Sequence, residues 1–157
     1  MRLGETLLIE DTHIDFSKRC IFLPSENTKG KKDRYVFFSP KTGLEIKRWL
    51  KYRDRYTNSK YLFCTKRGLP LEVHYFEKNF TKYTERIGIK DASPHTLRNN
   101  FSKRFLMSGG DIYTLSKILG HSSVKVTEDE YLDLTDEDLA EMYQKHSPIM
   151  NLKNKKY

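Results

Sequence analysis

Two Ser-Pro pairs, Ser39-Pro40 and Ser93-Pro94, constrain this chain more than any other local feature. A serine side chain accepts a hydrogen bond from the first turn of a helix, and proline fits at the first helical position, so each pair predicts a helix start. Apolar side chains then recur every three or four residues. We therefore expect one helix from Pro40 to about Tyr52 and another from Pro94 to the glycine pair at positions 109–110.

Strand-forming residues are concentrated in the first half of the chain. Cys20–Leu23 and Tyr35–Phe38 flank a polar stretch that contains Gly30, which predicts a β-hairpin, and Leu62–Thr65 predicts another short strand. Residues 1–10 have the spacing of the last turns of a helix. Further helices are expected from about Glu72, from Asp111 to Gly120, over Val124–Leu132 and over Asp136–Gln144. The expected fold is α+β: mainly helical, with a small antiparallel sheet near the N-terminus.

The length of 157 residues suits one domain, and no repeat or long linker divides the chain. Because the sequence opens within a helical pattern, we interpret residues 1–157 as one domain that is truncated at its N-terminus. The last residues, 147–157, are expected to form a flexible tail.

The charge of the chain is unevenly distributed. Its net charge is +8, but residues 128–157 hold eight acidic and four basic residues, so they carry −4. Residues 1–127 hold 25 basic and 13 acidic residues and therefore carry +12. Such a basic body predicts a polyanionic partner, although a lysine-rich surface can also serve solubility alone.

Several classes of protein are disfavoured by the sequence. No apolar run approaches the roughly 20 residues that span a bilayer, and the first residues do not resemble a signal peptide. The two cysteines, Cys20 and Cys64, lack zinc-ligand spacing, which favours free, buried thiols in a reducing compartment. We therefore expect no membrane partner, no metal site and a cytoplasmic location.

Three motifs in the second half could carry chemistry. His95 and Arg98 are three residues apart on a predicted helix, so both side chains can face one target. Leu119-Gly120-His121 ends a helix with a glycine and presents a histidine, and Tyr131 follows ten residues later. Taken singly, these motifs are equally typical of a solvated helix face, an ordinary helix C-terminus and a packed tyrosine.

Taken together and in this order, the motifs resemble the tyrosine recombinase, or phage integrase, family. The resemblance extends upstream. Met1–Glu5 is similar to the helix that carries the family's first catalytic arginine, with an acidic residue following it, and Thr28–Arg34 is similar to its lysine-bearing β-hairpin. The resemblance implies six catalytic residues: Arg2, Lys29, His95, Arg98, His121 and Tyr131.

The resemblance also implies what these residues do. Arg2 and Arg98 would bind the non-bridging oxygens of one DNA phosphate, since a guanidinium donates two parallel hydrogen bonds and stays charged. His95 and His121 would add hydrogen-bond donors or transfer protons at the same phosphate. These four side chains and Lys29 are expected to converge on one concave basic surface.

Tyr131 would attack the phosphorus and form a 3′-phosphotyrosyl bond. Lys29 would protonate the departing 5′-oxygen, with Lys31 and Lys32 as alternatives for that role. Glu5 would either orient a catalytic neighbour or be an acid on the surface of its helix. Because the covalent bond conserves the energy of the cut strand, no ATP, metal or other cofactor is expected.

The implied function is that of a site-specific recombinase or integrase. Its partner would be double-stranded DNA, on which the intact protein would assemble as a tetrameric synapse. The acidic segment from Glu128 to Glu141 would dock on a neighbouring protomer, or would simply be a solvated helix face. Two alternatives remain: a non-catalytic DNA-binding remnant of such an enzyme, and a type IB topoisomerase that rejoins the same strand.

Overall fold

The structure is a computed structural model that describes residues 1–121, 123–129 and 134–147. The chain divides into two compact units, residues 1–96 and 97–157. The expectation that residues 1–157 form a single domain stays a prediction.

The first unit contains a three-stranded antiparallel sheet. Its strands are β1 (Ile14–Asp15), β2 (Cys20–Leu23) and β3 (Arg34–Phe37), in the order β1-β2-β3. The predicted hairpin is confirmed as β2 and β3, in which Ile21 pairs with Val36. Strand β1 was not expected, because two residues are too few to show the alternation that identifies a strand.

One face of the sheet forms the core of the first unit. Ile21, Leu23 and Val36 point to this face and pack with Ile9 and Leu62, all of them buried. Helix α2 (Pro40–Arg53) covers the cluster and begins as predicted at the first Ser-Pro pair, where Ser39 Oγ accepts from the backbone N–H of Thr42 at 3.1 Å.

The N-terminal helix, α1 (Leu3–Leu7), has only five residues. Arg2 before it is extended, and its backbone N–H donates to Glu5 Oε2 at 2.7 Å, so the helix has its own beginning in this chain. The expectation that residues 1–10 are the last turns of a longer helix is therefore wrong. The carboxylate of Glu5, three residues after Arg2, accepts from the Arg2 backbone N–H and caps the helix start.

The expected strand at Leu62–Thr65 is also wrong. This segment makes only isolated bridges, between Glu10 and Tyr61 and between Cys64 and Pro70. It is held instead by hydrogen bonds from other elements: Leu62 donates to the Ile9 carbonyl and accepts from the Trp49 indole, both at 2.7 Å. Helix α3 (Val73–Arg86) follows, close to its predicted start.

The second unit is helical in its described residues. Helix α4 (Pro94–Met107) crosses the boundary between the units and leads to α5 (Ile112–Leu119), α6 (Val124–Asp129) and α7 (Asp136–His146). Its buried core consists of Leu106, Leu115 and Leu119. Helix α7 packs on α4 through the ion pair between Lys103 and Asp138, 2.5 Å long, and through a hydrogen bond from Lys145 Nζ to the Met107 carbonyl, at 3.3 Å.

Both predicted C-terminal helices are present. Helix α7 runs two residues beyond its expected end, and the expected last residues of α6, 130–132, lie outside the described residues. Of the expected flexible tail, only Ser147 is described. It is buried and donates its backbone N–H to the Tyr143 carbonyl at 2.8 Å, and the expectation of a flexible tail stays a prediction.

No helix among the described residues combines the length and the apolar character that crossing a membrane requires. Cys20 is buried, Cys64 is half-buried, and both are free thiols, as the sequence predicted for a chain without a disulfide framework.

Candidate active site

Arg2 is part of a buried cluster of charges in the first unit. Glu5 is only 3% exposed, and its Oε2 accepts from the Arg2 backbone N–H at 2.7 Å and from Arg34 Nη2 at 2.6 Å. The Arg2 guanidinium lies 3.4 Å from the other carboxylate oxygen. The interpretation of Glu5 as an exposed surface acid is therefore wrong: it contacts two arginines from the interior.

Opposing effects act on the pKa of Glu5. Burial raises it, but hydrogen bonds from the Arg34 side chain and the Arg2 backbone, together with the charges of both arginines, bring the pKa below its ordinary value. The carboxylate thus stays ionised, and it ties strand β3 to the helix that follows Arg2. Sequence reasoning missed Arg34; the available signal was an arginine on the core-facing side of a strand, paired with Leu23.

Lys29 lies in a tightly held turn of the β2–β3 connection. The Lys31 backbone N–H donates to the Thr28 carbonyl at 3.1 Å, and the buried Thr28 hydroxyl accepts from the Lys32 N–H at 3.2 Å. Lys29 itself is exposed. It lines a cleft of about 500 Å³ together with Arg2 and Glu5. Lys31 and Lys32 are not among the residues that line this cleft, and the choice of Lys29 over them as the general acid stays a prediction.

His95 and Arg98 lie within the first five residues of α4, as the sequence predicted. The helix start is capped by Ser93, whose Oγ accepts from the Thr96 N–H at 3.0 Å. His95 is exposed and Arg98 is half-buried. The boundary between the two units falls between these residues, so the second unit holds Arg98 and the first holds His95.

Arg98 and His121 are brought together in the second unit. Arg98 Nη2 donates to the Leu119 carbonyl at 2.9 Å and lies 2.8 Å from His121 Nε2. The other ring nitrogen, Nδ1, lies 2.8 Å from the hydroxyl of Thr127, which is fully buried in α6. Sequence reasoning missed Thr127, although a threonine three residues after Val124 on one helix face was a visible signal.

Gly120 gives His121 its position. It has a left-handed backbone, with φ 70° and ψ 41°, a conformation that favours glycine. This turn ends α5 and allows the His121 N–H to donate to the Ser116 carbonyl at 3.1 Å. The helix end and the histidine are thus fixed by one local motif, as the Leu119-Gly120-His121 pattern predicted.

The structure therefore brings the predicted site residues together in two groups: Arg2 with Lys29, and Arg98 with His121. The convergence of both groups and His95 on one surface stays a prediction. Tyr131 lies outside the described residues, two positions after the end of α6. Among the residues that are described, no cluster of three histidine, cysteine or acidic side chains has the arrangement of a metal site.

Comparison with known proteins identifies the family of the chain. The model of the phage integrase family matches residues 1–138. Tyrosine recombinase XerD of Lacticaseibacillus casei is 33% identical over 125 residues, a match that covers 76% of this chain and 42% of that protein. The chain thus spans less than half the length of this curated relative.

Two solved structures extend the comparison. The crystal structure of XerA recombinase matches with a TM-score of 0.82 and 31% identity, over 94% of this chain and 53% of that one. XerH site-specific recombinase, in a post-cleavage complex with a palindromic difH substrate, matches with a TM-score of 0.72 and 25% identity, over 92% of this chain and 41% of that one. With a family match over most of its length and these relatives, the chain belongs to the phage integrase family.

Proposed function

We propose that this chain is the catalytic domain of a site-specific DNA recombinase, which cuts and rejoins DNA strands through a 3′-phosphotyrosyl intermediate. The observation that carries the proposal is the hydrogen-bonded pair of Arg98 and His121, set at the end of α5. The match to XerD and the likeness to XerH in complex with its DNA substrate support the same activity.

The two arginines supply the electrostatic part of the chemistry. Arg2 and Arg98 donate to the non-bridging oxygens of the scissile phosphate and stabilise the charge that grows in the pentavalent transition state. His95 and His121 donate further hydrogen bonds there or transfer protons, because imidazole titrates near neutrality. The cleft that Arg2 shares with Lys29 supports placing these two side chains at one phosphate.

Covalent chemistry falls to Tyr131 and Lys29. The Tyr131 oxygen gives its hydroxyl proton to His95 or His121 and bonds to phosphorus while the bond from phosphorus to the 5′-oxygen breaks, and Lys29 gives a proton to that departing oxygen. Attack by the freed 5′-hydroxyl of another strand reverses the step. Since the phosphotyrosyl bond conserves the energy of the phosphodiester, rejoining needs no ATP and no cofactor.

Double-stranded DNA is the proposed partner. The +12 charge of residues 1–127 supports non-specific phosphate contacts. We propose that the intact protein self-associates on DNA as a tetrameric synapse and acts in the cytoplasm, on the nucleoid. Binding of the chain to random duplex DNA should fall steeply with salt, with a Kd of about 10⁻⁴–10⁻⁶ M at physiological salt. Binding that does not change with salt would contradict this.

The main test is the Tyr131→Phe variant in the parent protein, by which we mean the intact recombinase that contains this domain. The substrate is a nicked duplex that carries the ends of the mobile genetic element on which that recombinase acts. Removal of the hydroxyl should abolish the covalent adduct on a denaturing gel while leaving DNA affinity nearly unchanged. Tyr143→Phe, at an exposed tyrosine of α7, is the matched control and should keep the adduct. An adduct from Tyr131→Phe would exclude this nucleophile. Binding without any adduct from the wild type would favour the non-catalytic alternative.

A chemical rescue tests Lys29. Lys29→Ala should cleave poorly, but a substrate with a bridging 5′-phosphorothiolate should restore cleavage, because sulfur leaves without needing a proton. Lys31→Ala is the control on the same turn and should need no rescue. If the rescue is seen with Lys31→Ala instead, the general acid lies two residues further along.

A further inference from the structure

The hydrogen bonds of His121 fix which of its nitrogens carries the proton. Arg98 Nη2 lies 2.8 Å from Nε2, and the Thr127 hydroxyl lies 2.8 Å from Nδ1. A guanidinium can only donate hydrogen bonds, whereas a threonine hydroxyl can donate or accept. Nε2 must therefore be the acceptor, so the single proton of the neutral ring lies on Nδ1 and is donated to Thr127.

We infer that Thr127 is a positioning residue, which holds His121 as the Nδ1–H tautomer. Its hydroxyl is the acceptor that this tautomer requires, and at 0% exposure Thr127 leaves no room for water to take that place. A valine of nearly the same shape would remove the acceptor and leave an Nδ1–H buried without its partner. The residue thus acts on the protonation pattern of the ring rather than on its packing alone.

The backbone around the ring limits other arrangements. The His121 N–H donates to the Ser116 carbonyl at 3.1 Å, and the left-handed Gly120 sets the direction of the chain. The ring is therefore held by its own backbone and at both nitrogens. A flip of the ring would place the carbon atoms Cε1 and Cδ2 where Nε2 and Nδ1 now lie, and would break both side-chain hydrogen bonds at once.

This tautomer has a consequence that rests on the proposed function. With Nδ1 committed to Thr127, any proton that His121 exchanges with the reacting phosphate is exchanged at Nε2. When Nε2 takes up a proton it can no longer accept from Arg98, because both groups then donate. The same event therefore turns His121 Nε2 into a donor, so that His121 and Arg98 both present donors that suit an anionic phosphate.

Nitrogen-15 NMR of the histidine side chains in the 157-residue chain tests the inference without any DNA substrate. At about pH 8.5, where an ordinary imidazole is neutral, the His121 signals should show a protonated Nδ1 and an unprotonated Nε2. The chain has five histidines, so His121→Gln identifies the signals by their loss. An Nε2–H tautomer in the wild type would overturn the inference, whatever the variants do.

Substitutions separate the hydroxyl from the packing. Thr127→Val should shift the ring toward the Nε2–H tautomer, whereas Thr127→Ser, which keeps the hydroxyl, should retain the wild-type pattern. Thr84→Val, at another buried threonine, should leave the His121 signals unchanged. If Thr127→Val folds and its His121 signals match the wild type, the inference is wrong. If that variant does not fold, the serine variant and the wild-type spectrum still decide.

In the adduct assay with the parent protein, Thr127→Val should slow a single round of cleavage by about tenfold, the lower end of the loss seen when a residue that orients a functional histidine is removed. Its pH profile should shift, and Thr127→Ser should restore both rate and profile. Failure of the wild type to cleave would contradict the proposed function and leave the tautomer measurement intact, so the two failures are distinguishable.

Discussion

Arg2 and Arg98 are proposed for the same task, yet the two units hold them by different means. In the first unit, the neighbour of Arg2 is a buried carboxylate, Glu5, which also binds Arg34 at 2.6 Å. In the second, Arg98 donates to a backbone carbonyl and lies beside the neutral acceptor of His121. One arginine is held by charge, and the other by uncharged acceptors.

This difference predicts which substitutions affect cleavage and which affect stability. Removal of Glu5 leaves Arg34, whose side chain is only 12% exposed, without its counter-ion, so the fold of the first unit depends on this carboxylate. The contacts of Arg98 with Leu119 and His121 pair its charge with uncharged acceptors, and a phosphate offers Arg98 an anionic partner with stronger, bidentate hydrogen bonds. We therefore expect changes at Arg98 to act mainly on cleavage and changes at Glu5 mainly on folding.

Arg98→Ala should have the largest effect. Loss of one preorganised donor to the transition state costs roughly 10²–10³ in rate, so the covalent adduct should form at least 100-fold more slowly in the parent protein. DNA affinity should change far less, because many basic residues share that contact. Arg104→Ala, at an exposed arginine of the same helix, is the control. Cleavage by Arg98→Ala within a few-fold of the wild type would remove the proposed role.

Glu5→Gln should have the next largest effect, and on stability. Removing one partner of a buried ion pair typically costs about 3 kcal/mol, because the other charge stays buried. Urea denaturation should show this loss in the free energy of unfolding. The control is Glu45→Gln, which breaks the exposed pair between Glu45 and Arg48 and should cost less than about 1 kcal/mol. Equal losses in the two variants would contradict a buried, structural Glu5.

The pH dependence isolates the charge of Glu5. In the folded chain the pKa of Glu5 is below its ordinary value of 4.5. Ionisation of Glu5 therefore stabilises the fold above about pH 4.5. This stabilisation is lost as the pH falls through the lower pKa of the folded state. The difference in unfolding free energy between the wild type and Glu5→Gln should be constant near neutrality and shrink in acid. Taking this difference cancels the other carboxyls with lowered pKa values, namely Asp15, Asp111 and Asp138. If this difference in unfolding free energy grew in acid, it would contradict the conclusion that ionised Glu5 stabilises the fold.

Sequence reasoning succeeded where a structural feature is encoded by adjacent residues. The Ser-Pro helix starts, the hairpin of β2 and β3 and the turn at Gly120 each follow from the chemistry of a few neighbours. It failed for Leu62–Thr65, where β-forming residues meet no partner strand and are held by bonds from Ile9 and Trp49. Local propensity cannot show which distant backbone groups will be present.

The same limit applies to the candidate site. Arg98 and His121 could be predicted because their motifs resemble those of a family. Arg34 and Thr127 were missed, because a core-facing arginine on a strand and a threonine on one helix face do not by themselves show that they contact Glu5 and His121. These contacts join residues that are 29 and 6 positions apart, respectively, and the local signals do not identify the partner.

Gly120→Ala should have the smallest effect. It should change the surroundings of His121, which lies beside Arg98, and leave those of Arg2 unchanged. Alanine in a left-handed conformation costs about 1 kcal/mol, so the variant should fold but strain the turn that presents His121. Gly4→Ala is the matched control: Gly4 lies in α1 beside Glu5, has no positive φ, and an added methyl group would meet nothing within 4 Å. It should be neutral or slightly stabilising, since alanine favours helix.

Chemical denaturation measures both costs, and the His121 nitrogen signals show whether the hydrogen bonds to Arg98 and Thr127 have changed. Because the Arg2 cluster does not depend on this turn, Gly120→Ala should disturb only the His121 signals and leave the titration of Glu5 as in the wild type. A variant that loses stability while its His121 signals stay unchanged would show that the hydrogen bonds of His121 do not depend on the turn at Gly120, against the view that one local motif fixes the helix end and the histidine.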